Sequence, residues 1–153
     1  CVFLSGMLVY TSFFEVPACR KMMRFVICTY SVTMAIYILF PNCQNLRPTA
    51  FPRDNILTRF MAWFYTFDTN TNVCPSLHVI GAVASLYAGW KSRRFGTRPW
   101  RIVFSVITVL ISLSTVFLKQ HSALDVFAAL PLCALGWWVA ELRIPKKKFA
   151  QAR

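Results

Sequence analysis

A histidine and an aspartate lie four residues apart, at His121 and Asp125, in the stretch 114–126 with the sequence STVFLKQHSALDV. The stretch separates two long apolar runs, and the chain has only 2 histidines and 5 acidic residues. If a helix starts at Ser122, the Asp125 carboxylate can reach back to the His121 imidazole, an arrangement that holds a histidine as nucleophile or base. The same residues also fit a capping box, in which Asp125 only satisfies backbone amides. Both interpretations are open at this point.

The composition indicates a membrane protein. The 153 residues are 57% hydrophobic and include 14 Phe, and the mean hydropathy is +0.52, whereas a soluble domain is about 45–50% apolar. Five apolar runs have nearly the length that a bilayer requires: residues 1–18, 25–41, 73–90, 100–118 and 123–142. We therefore expect an all-α fold, a polytopic membrane helical bundle of about five spans that forms one domain over residues 1–153.

The charged loops predict the orientation of these spans. The net charge is +12, and most basic residues follow the first, third and fifth runs, at Arg20, Lys21 and Arg24, at Lys91, Arg93, Arg94, Arg98 and Arg101, and at Arg143, Lys146, Lys147 and Lys148. These alternate loops share one side, which the positive-inside rule makes cytoplasmic, and this use of the charge argues against nucleic-acid binding. The loops 42–72 and 119–122 then face outward, and both histidines lie at that outer face.

The long outer loop contains an aromatic-rich segment, 54–67, that is too short to span a bilayer. It predicts an interfacial helix along the membrane surface. Such a helix can form one wall of a site entered from the lipid, or only pack on the bundle.

The third apolar run opens with a second group of chemically useful residues, Pro75, Ser76, Leu77 and His78. Pro75 suits a first helical position. The free amides of Ser76 and Leu77, with the Ser76 hydroxyl, would then form a helix N-terminus that favours phosphate. In the alternative interpretation Ser76 only caps the helix and His78 is a polar interface residue.

Together these residues predict phosphoryl transfer through a phosphohistidine. His121 attacks phosphorus while Asp125 holds its tautomer, and His78 protonates the leaving oxygen and then activates the acceptor. Groups that would neutralise the phosphoryl oxygens are Arg47, Lys119 and the Ser76 region. The sequence has no acidic cluster for magnesium and no thiolate set for zinc, so no metal or other cofactor is expected.

Three segments resemble the type 2 phosphatidic acid phosphatase superfamily. Residues 74–78, CPSLH, resemble its PSxH-type signature, and residues 114–125 resemble its final signature, a Ser followed by a His seven residues on and an Asp four after that. Arg47-Pro48 resembles the end of its first signature. The likeness covers roughly residues 41–126.

This resemblance implies a six-helix membrane bundle, so we expect the first span to be missing and the chain to be truncated at its N-terminus. It also implies a metal-independent reaction on a lipid phosphate or diphosphate. His121 corresponds to the nucleophile, Asp125 to its orienting acid and His78 to the general acid. Positions in or beside the phosphate site correspond to Arg47, Ser76 and Ser114.

The sequence departs from the family pattern at two positions. Thr115 stands where the family has an arginine, and Phe40 stands where it has a lysine. Lys119 can supply the missing charge. The sequence around His121 is more similar to that of inositol phosphorylceramide synthase-like phosphotransferases. Two acceptors are therefore open: water gives a phosphatase, and an alcohol gives a phosphotransferase.

The expected partners are a lipid phosphate substrate and membrane lipids, at the outer face of a bacterial-type plasma membrane. The competing class is a non-catalytic transporter or scaffold, in which ionisable residues within the spans mark an ion path. The five runs carry almost no charge at mid-depth, which favours the enzyme.

Overall fold

The computed structural model describes residues 2–48, 51, 53–68 and 70–142. Regular structure in this part of the chain is helical, which confirms the all-α prediction. Six helices follow one another there: α1 (Val2–Phe14), α2 (Val16–Leu39), α3 (Ile56–Phe67), α4 (Leu77–Lys91), α5 (Arg98–Phe117) and α6 (Ala123–Glu141).

Three helix boundaries differ clearly from those predicted. The sequence predicts a first span that ends at residue 18 and a second that begins at residue 25, but α1 ends at Phe14 and α2 begins at Val16 with a proline in its first turn. A proline lacks the N–H that would continue the preceding helix, so the chain breaks here. Helix α4 begins at Leu77 with Ser76 as N-cap, so Pro75 precedes the helix instead of opening it.

The basic clusters move with these boundaries. Arg20, Lys21 and Arg24 lie within the first turns of α2, not in a loop. The cluster predicted after the fifth run lies outside the described residues: Arg143, Lys146, Lys147 and Lys148.

Among the described residues, α2, α5 and α6 are long and apolar enough to cross a membrane. α1 is a shorter apolar helix, and α4 has 15 residues. The exposed surface of α5 is apolar along its length, at Ile102, Val103, Val106, Val109, Leu110, Leu113 and Phe117. An apolar surface of this extent indicates membrane association; five spans stay a prediction.

Helix α4 lies at the centre of the bundle. Most of its residues are buried, and small side chains such as Gly81, Ala84 and Ala88 allow the neighbouring helices to approach closely. Tyr87 of α4 and Phe25 of α2 are fully buried, with ring centroids 5.8 Å apart. The position of α4 therefore fixes the position of His78 in its first turn.

At one end of the bundle, the Glu141 carboxylate joins three helices. It accepts hydrogen bonds from Lys21 Nζ at 2.8 Å and from the Tyr87 hydroxyl at 3.1 Å, and it pairs with Lys91 Nζ at 2.5 Å. These contacts connect α2, α4 and α6 at the end that carries most of the described basic residues.

At the opposite end, the segment that follows α2 lies beside the segment that precedes α4. Cys43 and Thr71 form an antiparallel bridge, and the Asn72 N–H donates to the Asn42 carbonyl at 2.6 Å. The loop 42–72 is therefore closed at its base, next to the start of α4.

The predicted helix in that loop is present as α3. Its N-cap Asn55 forms a capping box with Thr58, which explains why the helix begins at Ile56. None of its described side chains is buried, and the Tyr65 hydroxyl donates to the Leu118 carbonyl at 2.8 Å. That bond joins α3 to the end of α5; an interfacial location for α3 stays a prediction.

Packing between α2 and α6 predicts an asymmetry between two glycines. A Cβ on Gly136 would lie 2.5 Å from Thr29 Cγ2, whereas a Cβ on Gly6 meets nothing within 4 Å. We expect Gly136→Ala to destabilise the protein by about 1–3 kcal/mol through overpacking, measured as a lower unfolding temperature in detergent. Gly6→Ala is the matched control and should not lower it; equal unfolding temperatures for both variants would contradict this packing.

Candidate active site

The segment before α4 is fixed by side chains from the end of α2. The Tyr37 hydroxyl donates to the Pro75 carbonyl at 2.6 Å. Asn42 Oδ1 accepts the backbone N–H groups of Val73 at 2.8 Å and Cys74 at 2.9 Å. These bonds satisfy buried backbone groups outside regular structure, and they hold the start of α4 in one place.

The start of α4 also contacts the start of α6. The Ser76 N–H donates to the Asp125 carbonyl at 3.2 Å. The Ser76 hydroxyl accepts from the Val79 N–H at 3.4 Å, and the side chain is fully buried. Ser76 therefore acts as the helix cap, and its amide is bonded within the protein; its predicted role at a phosphate stays a prediction.

The turn between α5 and α6 positions His121. Lys119 adopts a φ of 51°, the left-handed conformation that often ends a helix. The N–H groups of Gln120 and His121 then both donate to the Thr115 carbonyl, at 3.0 and 3.1 Å. His121 is consequently turned inward and is only 6% exposed.

Asp125 caps α6 and also lies beside the His121 imidazole. Its Oδ2 accepts the Ser122 N–H at 2.7 Å, completing a capping box at the start of α6. The same Oδ2 lies 3.6 Å from His121 Nδ1, longer than a hydrogen bond but close enough for a charge interaction. Capping thus holds the carboxylate beside the imidazole, so the two interpretations are compatible.

The two histidines meet, although they are far apart in sequence. His78 Nδ1 lies 3.2 Å from His121 Nε2, at the end of the bundle opposite Glu141. A contact between two ring nitrogens requires one N–H and one lone pair. Because the carboxylate faces His121 Nδ1, we assign the proton of His121 to that nitrogen. Nε2 then carries the lone pair, and it accepts from His78 Nδ1–H.

Burial lowers the pKa of His121, while the nearby Asp125 carboxylate acts in the opposite direction. The imidazole is therefore neutral at neutral pH, as a nucleophile must be. The unfolded chain binds the proton more tightly than the folded protein does. His121 accordingly makes the fold less stable as the pH falls below the ordinary histidine pKa of about 6.5.

A second polar group lies beside the histidines and centres on Asp68. Arg47 donates to the Asp68 carbonyl and, at 2.7 Å, to Asp68 Oδ2, and its guanidinium lies 4.7 Å from the centre of the Tyr65 ring. Gln120 Nε2 donates to the same Oδ2 at 2.9 Å, and the Gln44 side chain donates to the Gln120 carbonyl. We call Arg47, Asp68 and Gln120 the Asp68 cluster.

Sequence reasoning selected Arg47 but missed Asp68 and Gln120 as site residues. One signal was present: Asp68 is one of only 5 acidic residues and falls in the predicted outer loop. A glutamine beside a histidine carries no comparable signal, because nothing in the sequence pairs it with residue 68.

Two of the predicted phosphate-site residues are not brought to the histidines by any described contact. Ser114 is exposed, and its hydroxyl donates to the Ile111 carbonyl of its own helix at 2.8 Å. The Lys119 side chain is exposed at the turn. Thr115, which stands in place of the family's arginine, is buried, and its carbonyl holds the His121 turn.

An apolar cavity of about 300 Å³ reaches His78 from within the bundle. Its walls come from α1, α2, α4 and α5, with Phe3, Leu4, Tyr30, Leu77, Gly81, Ala82 and Ile111 beside His78. A cavity of this size matches the lower end of small-ligand sites, about 300–1,000 Å³. Apolar side chains thus adjoin the imidazole on one side.

No family model, curated protein or solved structure matches the chain. Within the described ranges, no group of three or more His, Cys, Asp or Glu side chains is arranged to hold a metal ion.

The site geometry predicts how His121 titrates. Because the chain has only 2 histidines, imidazole NMR of the labelled protein in detergent can follow both, with His78→Gln to assign them. We expect a His121 pKa below the ordinary value of about 6.5, and a further decrease in Asp125→Asn, which keeps a capping oxygen but removes the charge that favours imidazolium.

The control for this titration is Asp54→Asn, which removes an exposed carboxylate paired with Arg59. It should leave the His121 pKa unchanged. A His121 pKa that rises in Asp125→Asn would refute the proposed charge interaction.

Proposed function

We propose that this protein is an integral-membrane enzyme that hydrolyses a lipid phosphate through a phosphohistidine on His121. The observation that carries the proposal is the series His78, His121 and Asp125. Its two histidine nitrogens lie 3.2 Å apart and its carboxylate lies 3.6 Å from the far side of His121. The order places a lone pair on Nε2 and a proton donor beside it, the requirements of a nucleophile and a general acid.

The reaction proceeds in two balanced steps. His121 Nε2 attacks phosphorus, the N–P bond forms, the P–O bond to the lipid breaks, and protonated His78 gives its proton to the leaving oxygen. Water then attacks the phosphohistidine and loses a proton to His78, the N–P bond breaks, and inorganic phosphate leaves. Asp125 stabilises the charge that develops on the His121 ring. The phosphoryl group takes the place of the hydrogen bond between the two histidines.

The bundle supports a lipid as the substrate. Three helices long and apolar enough to cross a membrane and the apolar cavity beside His78 favour a phosphate that carries a hydrocarbon chain. The predicted orientation puts the histidines at the outer face of a plasma membrane, since the basic residues collect at the other end of the bundle.

Phosphate release by the detergent-purified protein, with EDTA present, tests the mechanism. We expect His121→Ala to lower turnover on the order of 10³-fold or more, because the proposed covalent intermediate forms on the His121 imidazole. The assay measures inorganic phosphate from a panel of lipid phosphates. His121→Gln, which keeps a polar side chain, should be equally inactive.

The same assay identifies the phosphoryl acceptor and tests the competing proposal of a non-catalytic transporter or scaffold. Transfer of the phosphoryl group to an added alcohol, in place of phosphate release, would identify a phosphotransferase. Turnover by His121→Ala at the wild-type rate would exclude His121 as nucleophile. A wild-type protein without turnover on any lipid or acceptor would favour a transporter or scaffold.

The cavity predicts a dependence on chain length. Ile111→Trp narrows the cavity and should raise KM for a long-chain lipid phosphate about tenfold, with little effect on p-nitrophenyl phosphate, which has no chain. Leu110→Trp, on the exposed face of the same helix, is the matched control and should change neither KM. An equal change in KM for both substrates would show that the hydrocarbon chain of the lipid binds elsewhere.

A further inference from the structure

The Asp68 carboxylate accepts hydrogen bonds from the kinds of group that bind an anionic ligand. Its Oδ2 receives a guanidinium N–H of Arg47 at 2.7 Å and the side-chain amide of Gln120 at 2.9 Å. The side chains of Arg47 and Asp68 are only 14% and 26% exposed. By comparison, the ion pair between Arg59 and Asp54 has side chains 74% and 69% exposed, respectively. The Asp68 cluster is therefore a shielded anion-binding arrangement, unlike an ordinary surface pair.

This cluster is adjacent to the histidines. Gln120 directly precedes His121, and the N–H groups of both donate to the Thr115 carbonyl. Burial and the Asp125 carboxylate are the larger influences on the pKa of His121, and the Asp68 carboxylate also raises it. The carboxylate thus lies within electrostatic reach of the candidate nucleophile.

We propose that Asp68 occupies the anion-binding site in the ligand-free protein, and that a phosphate group binds by displacing its carboxylate from Arg47 and Gln120. This inference rests on the proposed function. A planar guanidinium and a side-chain amide suit phosphate oxygens as well as carboxylate oxygens. Two anions beside the same histidines repel each other, so Asp68 must leave as phosphate enters. The doubly charged phosphate then interacts more strongly with Arg47 than the singly charged carboxylate does.

The displacement has a consequence for specificity. A ligand must interact with Arg47 and Gln120 more strongly than the Asp68 carboxylate does. A singly charged anion interacts about as strongly as that carboxylate, so it gains little by displacing it. The site therefore selects phosphate monoesters and inorganic phosphate over carboxylates and phosphodiesters.

Inorganic phosphate binding, followed by thermal stabilisation of the full chain in detergent at constant ionic strength, tests the proposal. Asp68→Asn keeps the size of the side chain but removes the competing charge, and it should tighten phosphate binding about tenfold or more. Asp54→Asn, the same change in the exposed pair, should bind phosphate as the wild type does. Dioctanoyl phosphatidate is a second ligand that distinguishes a lipid headgroup from free phosphate. If the headgroup enters the same site, Asp68→Asn should bind dioctanoyl phosphatidate more tightly than the wild type does, by a similar factor.

Unchanged or weaker phosphate binding by folded Asp68→Asn would overturn the proposal and make Asp68 a structural partner of Arg47. If Asp68→Asn does not fold, Gln120→Met tests the same site with both charges in place. It removes one donor and should weaken phosphate binding about fivefold, whereas an unchanged affinity overturns the proposal.

Turnover and phosphate affinity together distinguish the displacement of Asp68 from the proposed enzymatic function. Wild-type turnover of a lipid phosphate together with an Asp68→Asn variant of unchanged phosphate affinity overturns only the displacement. Tighter phosphate binding by Asp68→Asn without turnover by either protein supports the anion site and overturns the enzyme.

Discussion

The candidate site depends on the contact between the start of α4 and the start of α6. A single backbone hydrogen bond, from the Ser76 N–H to the Asp125 carbonyl, joins them. Because one histidine lies two residues beyond Ser76 and the other lies four residues before Asp125, this contact brings both rings together. The buried ends of helices need partners for their free backbone groups. Satisfying that need at two helix starts places the imidazoles 3.2 Å apart.

The surrounding structure protects this contact from both sides. Within the bundle, small side chains on α4 allow α1, α2, α5 and α6 to pack closely around it, and Glu141 joins three helices at the far end. At the end that contains the histidines, Asn42 and Tyr37 hold the backbone before α4. Side chains that are locked by packing and hydrogen bonds can keep a reactive group in one orientation, which is the condition for efficient catalysis.

Two carboxylates lie near the histidines, and each is held by contacts of its own. One carboxylate, Asp125, faces His121 Nδ1 and also caps α6, so its position does not depend on the histidine being charged. A second, Asp68, is held by Arg47 and Gln120. The two carboxylates thus have separate surroundings: Asp125 lies beside the His121 ring at the start of α6, and Asp68 is paired with Arg47.

The sequence by itself determined the helical fold, α5 and α6 near their observed bounds, the short helix α3, and the proximity of His121 and Asp125. These features depend on local hydrophobic runs and on residues within one turn of each other. Only the tertiary structure decided that Ser76 bonds to Asp125, that His78 contacts His121, and that Arg47 is held by Asp68. Those contacts join residues distant in the chain, and each depends on how two elements are rotated against each other. Hydrophobic periodicity does not specify that rotation closely enough to predict a hydrogen bond.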